Sequence, residues 1–126
     1  MQLEVPLVGI LRGIEGDFFR ALLPVAFGAG LTALEITMNT PGAPEIVARC
    51  RSEVPPGKLL GMGTIRNVAE AETAIGAGAM FLVTPNTDPK VIELAKGRGI
   101  PVIAGAFTPT EVYAAWAAGA DLVKVF

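Results

Sequence analysis

Six short apolar runs recur along the chain, at residues 7–11, 33–37, 59–63, 80–84, 101–105 and 122–126. Successive runs start roughly 20 to 26 residues apart. Their length and apolar character predict β-strands. The segments between them carry helical periodicity and helix start signals. Gly16 or Asp17 opens a segment that runs through Phe18, Leu22, Val25 and Ala26. A second follows Pro44 and ends near Glu53. Asn67, with Glu70 three residues on, is a candidate capping pair for a third. Asp88-Pro89 opens a fourth, with proline at its first helical position. Thr108-Pro109-Thr110-Glu111 opens a fifth in the same way. Gly30, Gly78, Gly99 and Gly119 each end a helix just before the next strand, where a left-handed terminal residue is expected.

Strand–helix units at this period predict parallel strands joined by right-handed crossovers. Two architectures fit, a (β/α)8 barrel and an open doubly wound sheet. The G-x-G-x-x-G turn that would favour the second is absent after the first run. Short loops and even repeats favour an α/β protein of the (β/α)8-barrel type. Only six strands and five helices are predicted, about three quarters of a barrel. Residues 1–126 are therefore expected to form one barrel domain that is incomplete at its C-terminal side. The last run is expected to be an unpaired, valine-rich edge unless a partner covers it.

Composition narrows the function classes. Hydrophobic residues make up 52% of the 126, which fits a sheet covered on both faces. The net charge is −2, with acids and bases interspersed, so nothing marks a nucleic-acid-binding surface. No apolar run reaches the roughly 18 residues of a membrane span, and no signal peptide opens the chain. Cys50 is the single cysteine, which points to a cytoplasmic setting, and with no histidine a zinc site is not expected.

In barrels of this type chemistry sits at the C-terminal ends of the strands. Lys124 stands there inside the apolar run Leu122-Val123-Lys124-Val125-Phe126. Burying an ammonium costs several kcal/mol unless it is paired or deprotonated, and a neutral amine attacks carbonyls to form a Schiff base. Glu35 is an acid within Ala33-Leu34-Glu35-Ile36-Thr37, either an ion-pair partner for Lys124 or Arg12 or a functional acid. Arg12 ends the first run, where its planar fork suits a carboxylate or phosphate, or a surface salt bridge. Thr64 follows Gly61-Met62-Gly63, where a ligand can approach the backbone, or caps the next helix. Pro85-Asn86 reads as a turn that shapes the pocket. Cys50, Tyr113 and Trp116 read as packing residues.

These stretches resemble the class I 2-keto-3-deoxy-6-phosphogluconate (KDPG) aldolases, including their 6-phosphogalactonate and 4-hydroxy-2-oxoglutarate members. The matching segments are Ile10-Leu11-Arg12-Gly13, Leu34-Glu35-Ile36-Thr37, Gly61-Met62-Gly63-Thr64, Val83-Thr84-Pro85-Asn86, Phe107-Thr108-Pro109-Thr110-Glu111 and Val123-Lys124-Val125-Phe126. They span nearly the whole chain, in the family's order and spacing. The resemblance implies a homotrimeric barrel in which Lys124 is the Schiff-base lysine and Glu35 the general acid/base. It implies that Arg12 and Thr64 contact the carboxylate end of the 2-keto acid, and that Pro85 and Phe126 line the pocket.

The same resemblance implies a metal-independent lyase without a cofactor, whose products are pyruvate and an aldehyde. Asn39 and Pro85-Asn86 are like the phosphogalactonate members, and Thr37 is like the phosphogluconate ones. The family's phosphate contacts are expected on two further strands beyond Phe126. The competing expectations are a non-catalytic fragment of such an enzyme and another phosphate-binding barrel.

Overall fold

The computed structural model describes residue 1 and residues 3–126. Six strands alternate with five helices. The strands are β1 (Val8–Leu11), β2 (Ala33–Thr37), β3 (Leu59–Gly63), β4 (Leu82–Val83), β5 (Val102–Ala106) and β6 (Leu122–Val125). The helices are α1 (Gly16–Gly28), α2 (Ala43–Cys50), α3 (Val68–Gly76), α4 (Pro89–Gly97) and α5 (Pro109–Ala118), with a 3-10 turn at Arg51–Glu53. All pairings are parallel and the strand order is β1-β2-β3-β4-β5-β6. Right-handed crossovers that always add the next strand on the same side roll the sheet into a barrel wall. Here the six strands form its open, curled part.

The expected strands all form, with the fourth reduced to two residues. The four predicted helix-ending glycines all have positive φ, from 69° at Gly99 to 104° at Gly30. Asn67 caps α3 by accepting from the Glu70 N–H at 2.9 Å. The return half of that capping pair goes elsewhere: Glu70 accepts from the backbone N–H of Arg66 and pairs with its guanidinium. The complete capping box is at α5, between Thr108 and Glu111.

Side chains alternate across the strands, so each strand serves two cores. Leu34, Ile36, Leu60, Met62, Leu82, Val102 and Ala104 point outward and pack with Phe19, Leu23, Phe27, Ile46, Val47 and Ile92 of the helices. Ala33, Phe81, Val83 and Ile103 point inward, joined by Val8 and Leu59. In register with one another, Ile10, Glu35 and Gly61 form the next inward layer. The run at β6 is the sheet edge that was expected, since among the described residues it pairs only with β5. It is not the buried strand that its apolar character suggested: Leu122 and Val125 are exposed and Lys124 is half-buried. Tyr113 and Trp116 do not pack on the sheet either. They project from α5 with 76% and 55% exposure, since among the described residues no helix flanks α5 on its far side.

Gly61 shows how tightly the inner layer is filled. A Cβ placed on it would come within 2.5 Å of the fully buried Phe81 ring. Overpacking of this kind costs about 1–3 kcal/mol. Gly61→Ala is therefore expected to lower the unfolding free energy by that amount, read as a lower urea midpoint at unchanged slope, and an unaltered midpoint would show that the Phe81 ring yields freely.

Candidate active site

The inward positions at the C-terminal ends of the strands converge on one pocket. Arg12 from β1, Glu35 from β2, Thr64 after β3, Pro85 after β4, and Lys124 and Phe126 at β6 all line it. All six sequence-predicted site residues are thus brought together. Ile10, Val83 and Thr84 complete the wall and were not singled out from the sequence.

Glu35 is the most constrained of these groups. It is 2% exposed, and its Oε2 has no hydrogen-bond partner. The anticipated ion pair with Lys124 or Arg12 does not form; both cations act on it only through their field. Gly63 makes the space, because a Cβ there would lie 2.5 Å from the carboxylate. Burial raises the carboxyl pKa to about 7, against a smaller lowering by Lys124 and Arg12. Such a carboxyl exchanges protons readily near neutrality, as a general acid/base must.

Lys124 Nζ lies over the Phe126 ring, 4.9 Å from its centroid, a contact that orients the amine. Phe126 is itself anchored by its N–H donating to the Ala106 carbonyl at 2.9 Å. On the opposite wall Arg12 Nη2 donates to Thr64 Oγ1 at 3.4 Å. Arg12 has no carboxylate within salt-bridge reach among the described residues, so its fork is free for an anionic ligand. Thr64 is not a helix cap, since Asn67 takes that place. It is the one non-glycine residue with positive φ (58°) among the described residues, and a β-branched residue pays for that conformation. The strain aims the Thr64 side chain at Arg12 and the pocket.

Behind this wall, the Thr40 hydroxyl accepts from the Gly13 N–H at 2.9 Å and meets the Thr37 hydroxyl at 3.1 Å. These contacts fix the turn after Arg12 to the end of β2. Asn39 is exposed and outside the pocket wall. No group of three or more His, Cys, Asp or Glu among the described residues is arranged to hold a metal ion. Among the described residues, no helix is long and apolar enough to cross a membrane.

A family model described as "KDPG and KHG aldolase" matches residues 8–126. The chain belongs to this aldolase family. It is 37% identical over 98% of its length to a protein of Rhizobium meliloti named a probable 2-dehydro-3-deoxy-6-phosphogalactonate aldolase. It is 34% identical over 99% of its length to the 2-dehydro-3-deoxy-6-phosphogalactonate aldolase of Escherichia coli. The chain spans only 58% and 61% of those two relatives. A solved structure described as "Native KDPGal structure" superposes with a TM-score of 0.95 at 33% identity, covering all of this chain and 61% of that one. A 4-hydroxy-2-oxoglutarate/2-dehydro-3-deoxyphosphogluconate aldolase superposes with a TM-score of 0.84 at 40% identity, covering 94% of this chain and 58% of that one.

The raised carboxyl of Glu35 has a stability signature. In the unfolded chain Glu35 ionises near 4.5, and in the folded chain near 7. The folded state therefore holds the proton more tightly, and stability is fully retained below about 4.5 and lost as pH rises to about 7. Each pH unit in that window costs about 1.4 kcal/mol, a total of about 3 kcal/mol. Glu35→Gln is expected to remove this dependence and to be more stable than the parent at pH 8. Denaturant titrations at pH 5 and pH 8 check it, and parallel pH dependences in the two proteins would contradict it.

Proposed function

We propose that the whole protein is a class I aldolase that cleaves a 2-keto-3-deoxy-6-phospho sugar acid, or 4-hydroxy-2-oxoglutarate, to pyruvate and an aldehyde. The observation that carries this reading is one pocket holding an amine on an aromatic ring, a buried carboxyl poised near 7 and an unpaired arginine. The two relatives described above carry the phosphogalactonate name, and others that the chain matches carry the phosphogluconate one, so both substrates stay within this reading.

Each residue has a role the geometry can serve. Arg12 and Thr64 hold the substrate carboxylate, which sets the C2 ketone toward Lys124. The unprotonated Lys124 amine adds to C2 and forms a carbinolamine. Glu35 donates a proton to the departing hydroxyl, and water leaves as the iminium forms. The carboxylate so produced takes the proton from the C4 hydroxyl, directly or through a water. The C3–C4 electron pair then moves into the iminium, which releases the aldehyde and leaves an enamine. Protonation at C3 and addition of water to C2 free pyruvate and return the amine. Pro85 and Phe126 line the pocket beside the amine. Glu35 fits both directions of proton transfer because its pKa lies near the working pH.

Incubation with pyruvate and sodium borohydride, followed by intact mass and peptide mapping, tests the reading. One reduced pyruvate adduct on Lys124 is expected, and Lys124→Met should abolish it. An adduct on another lysine would sink the assignment of Lys124, and no adduct would favour a non-catalytic fragment.

The assembly we expect is a homotrimer, and the buried free thiol of Cys50 suits the cytoplasm. The exposed Phe18 and Val25 of α1 and Tyr113 and Trp116 of α5 are apolar surface that self-association would cover. Sedimentation velocity at micromolar concentration should give three times the chain mass; a lone monomer would overturn this part.

A further inference from the structure

Two threonine hydroxyls grip one glycine beside the amine. Gly105 lies opposite Lys124 in the β5–β6 register. Its N–H donates to Thr84 Oγ1 at 3.2 Å, and its carbonyl accepts from Thr87 Oγ1 at 2.8 Å. Thr84 Oγ1 also donates to the Asn86 carbonyl at 2.6 Å, so its single hydroxyl is satisfied as donor and acceptor at once. Thr87 has a second acceptor in the Glu111 carbonyl, at 3.4 Å, on the first turn of α5. Thr84 is 1% exposed. The segment it opens passes so close to Gly105 that a Cβ there would overlap the Pro85 carbonyl.

Threonines in turns ordinarily bond their own turn. Thr84 does so at Asn86 and accepts from the neighbouring strand as well, and Thr87 reaches across to that strand, so together they take both polar groups of one residue. The turn that carries Pro85 and the strand that carries Lys124 are both referenced to Gly105. Pro85 and Lys124 face the same pocket. Slippage at Gly105 would therefore change the gap between the pocket wall and the attacking amine.

We propose that Thr84 and Thr87 are positioning residues that fix the Lys124 amine against the Pro85 wall through Gly105. This inference rests on the Schiff-base reading of Lys124. Neither hydroxyl takes or gives a proton in the reaction. Their effect is on the geometry of attack, where a displacement near 1 Å can cost about a hundredfold in rate.

The test measures the rate of borohydride-trapped pyruvate adduct on Lys124 as a function of pyruvate concentration. The proteins are the parent, Thr84→Val, Thr87→Val and Thr84→Ser, each with its urea midpoint. Valine keeps the shape of threonine and removes the hydroxyl; serine keeps the hydroxyl. The limiting trapping rate of the folded protein is expected to fall about tenfold or more in each valine variant, and to stay within about threefold of the parent in Thr84→Ser. A purely structural role lowers the urea midpoint and leaves the limiting rate unchanged, and that result overturns the inference. Should Thr84→Val not fold, the half-buried Thr87→Val decides on the same criterion. If the parent forms no adduct on Lys124, the Schiff-base reading fails and this inference falls with it; an adduct in the parent with unchanged rates in the valine variants rejects the positioning role alone.

Discussion

The Glu35 carboxylate is held out of water with one oxygen unpartnered, and much of the site is arranged around that burial. A charged carboxylate would ordinarily be expelled from such a place or matched by a cation in contact. Neither happens here. The strand alternation that faces Leu34 and Ile36 to the helices leaves Glu35 no direction but inward. Gly63 leaves room for it. Lys124 and Arg12 stand close enough to soften the penalty and too far to cancel it. The outcome is a carboxyl that holds its proton loosely near neutrality. That is a thermodynamic burden on the fold and an asset for proton transfer, as expected where activity and stability compete.

Much of this was legible in the chain itself. Strand positions followed from apolar runs because both faces of a parallel sheet are covered, so the runs are continuous. Lys124 and Glu35 stood out because a charge inside such a run contradicts its surroundings. Arg12, Thr64 and Pro85 were found because strand ends are countable, and Phe126 was expected only from the family resemblance. What the sequence could not show was how polar groups are shared. The reach of Thr84 and Thr87 to Gly105, and of Thr40 to Gly13, depends on backbone atoms of other strands, which leave no mark in residue identity.

The misread residues share a different cause. Leu122, Tyr113 and Trp116 have core-like chemistry, and their burial was inferred from that chemistry. Whether an apolar side chain is covered depends on the neighbouring element, and β6 and α5 stand at the margin of the described sheet. Thr64 is an intermediate case. Its place after two strand glycines flagged a close approach, yet the positive φ is imposed by the turn and is invisible in a threonine codon.

Three inward glycines act as sockets. Gly61 receives the Phe81 ring, Gly63 the Glu35 carboxylate and Gly105 the Pro85 backbone. Each socket and its occupant come from different strands or turns, far apart in the chain. A side chain added at any socket collides before its occupant has changed, and a smaller occupant at position 81 or 35 leaves a void before the socket is filled. Single substitutions are therefore costly in both directions along this layer. Divergence of specificity in this lineage should be channelled into the polar loops above the strands, where residues such as Asn39 are free of such pairing, while the glycine layer drifts only by paired exchange.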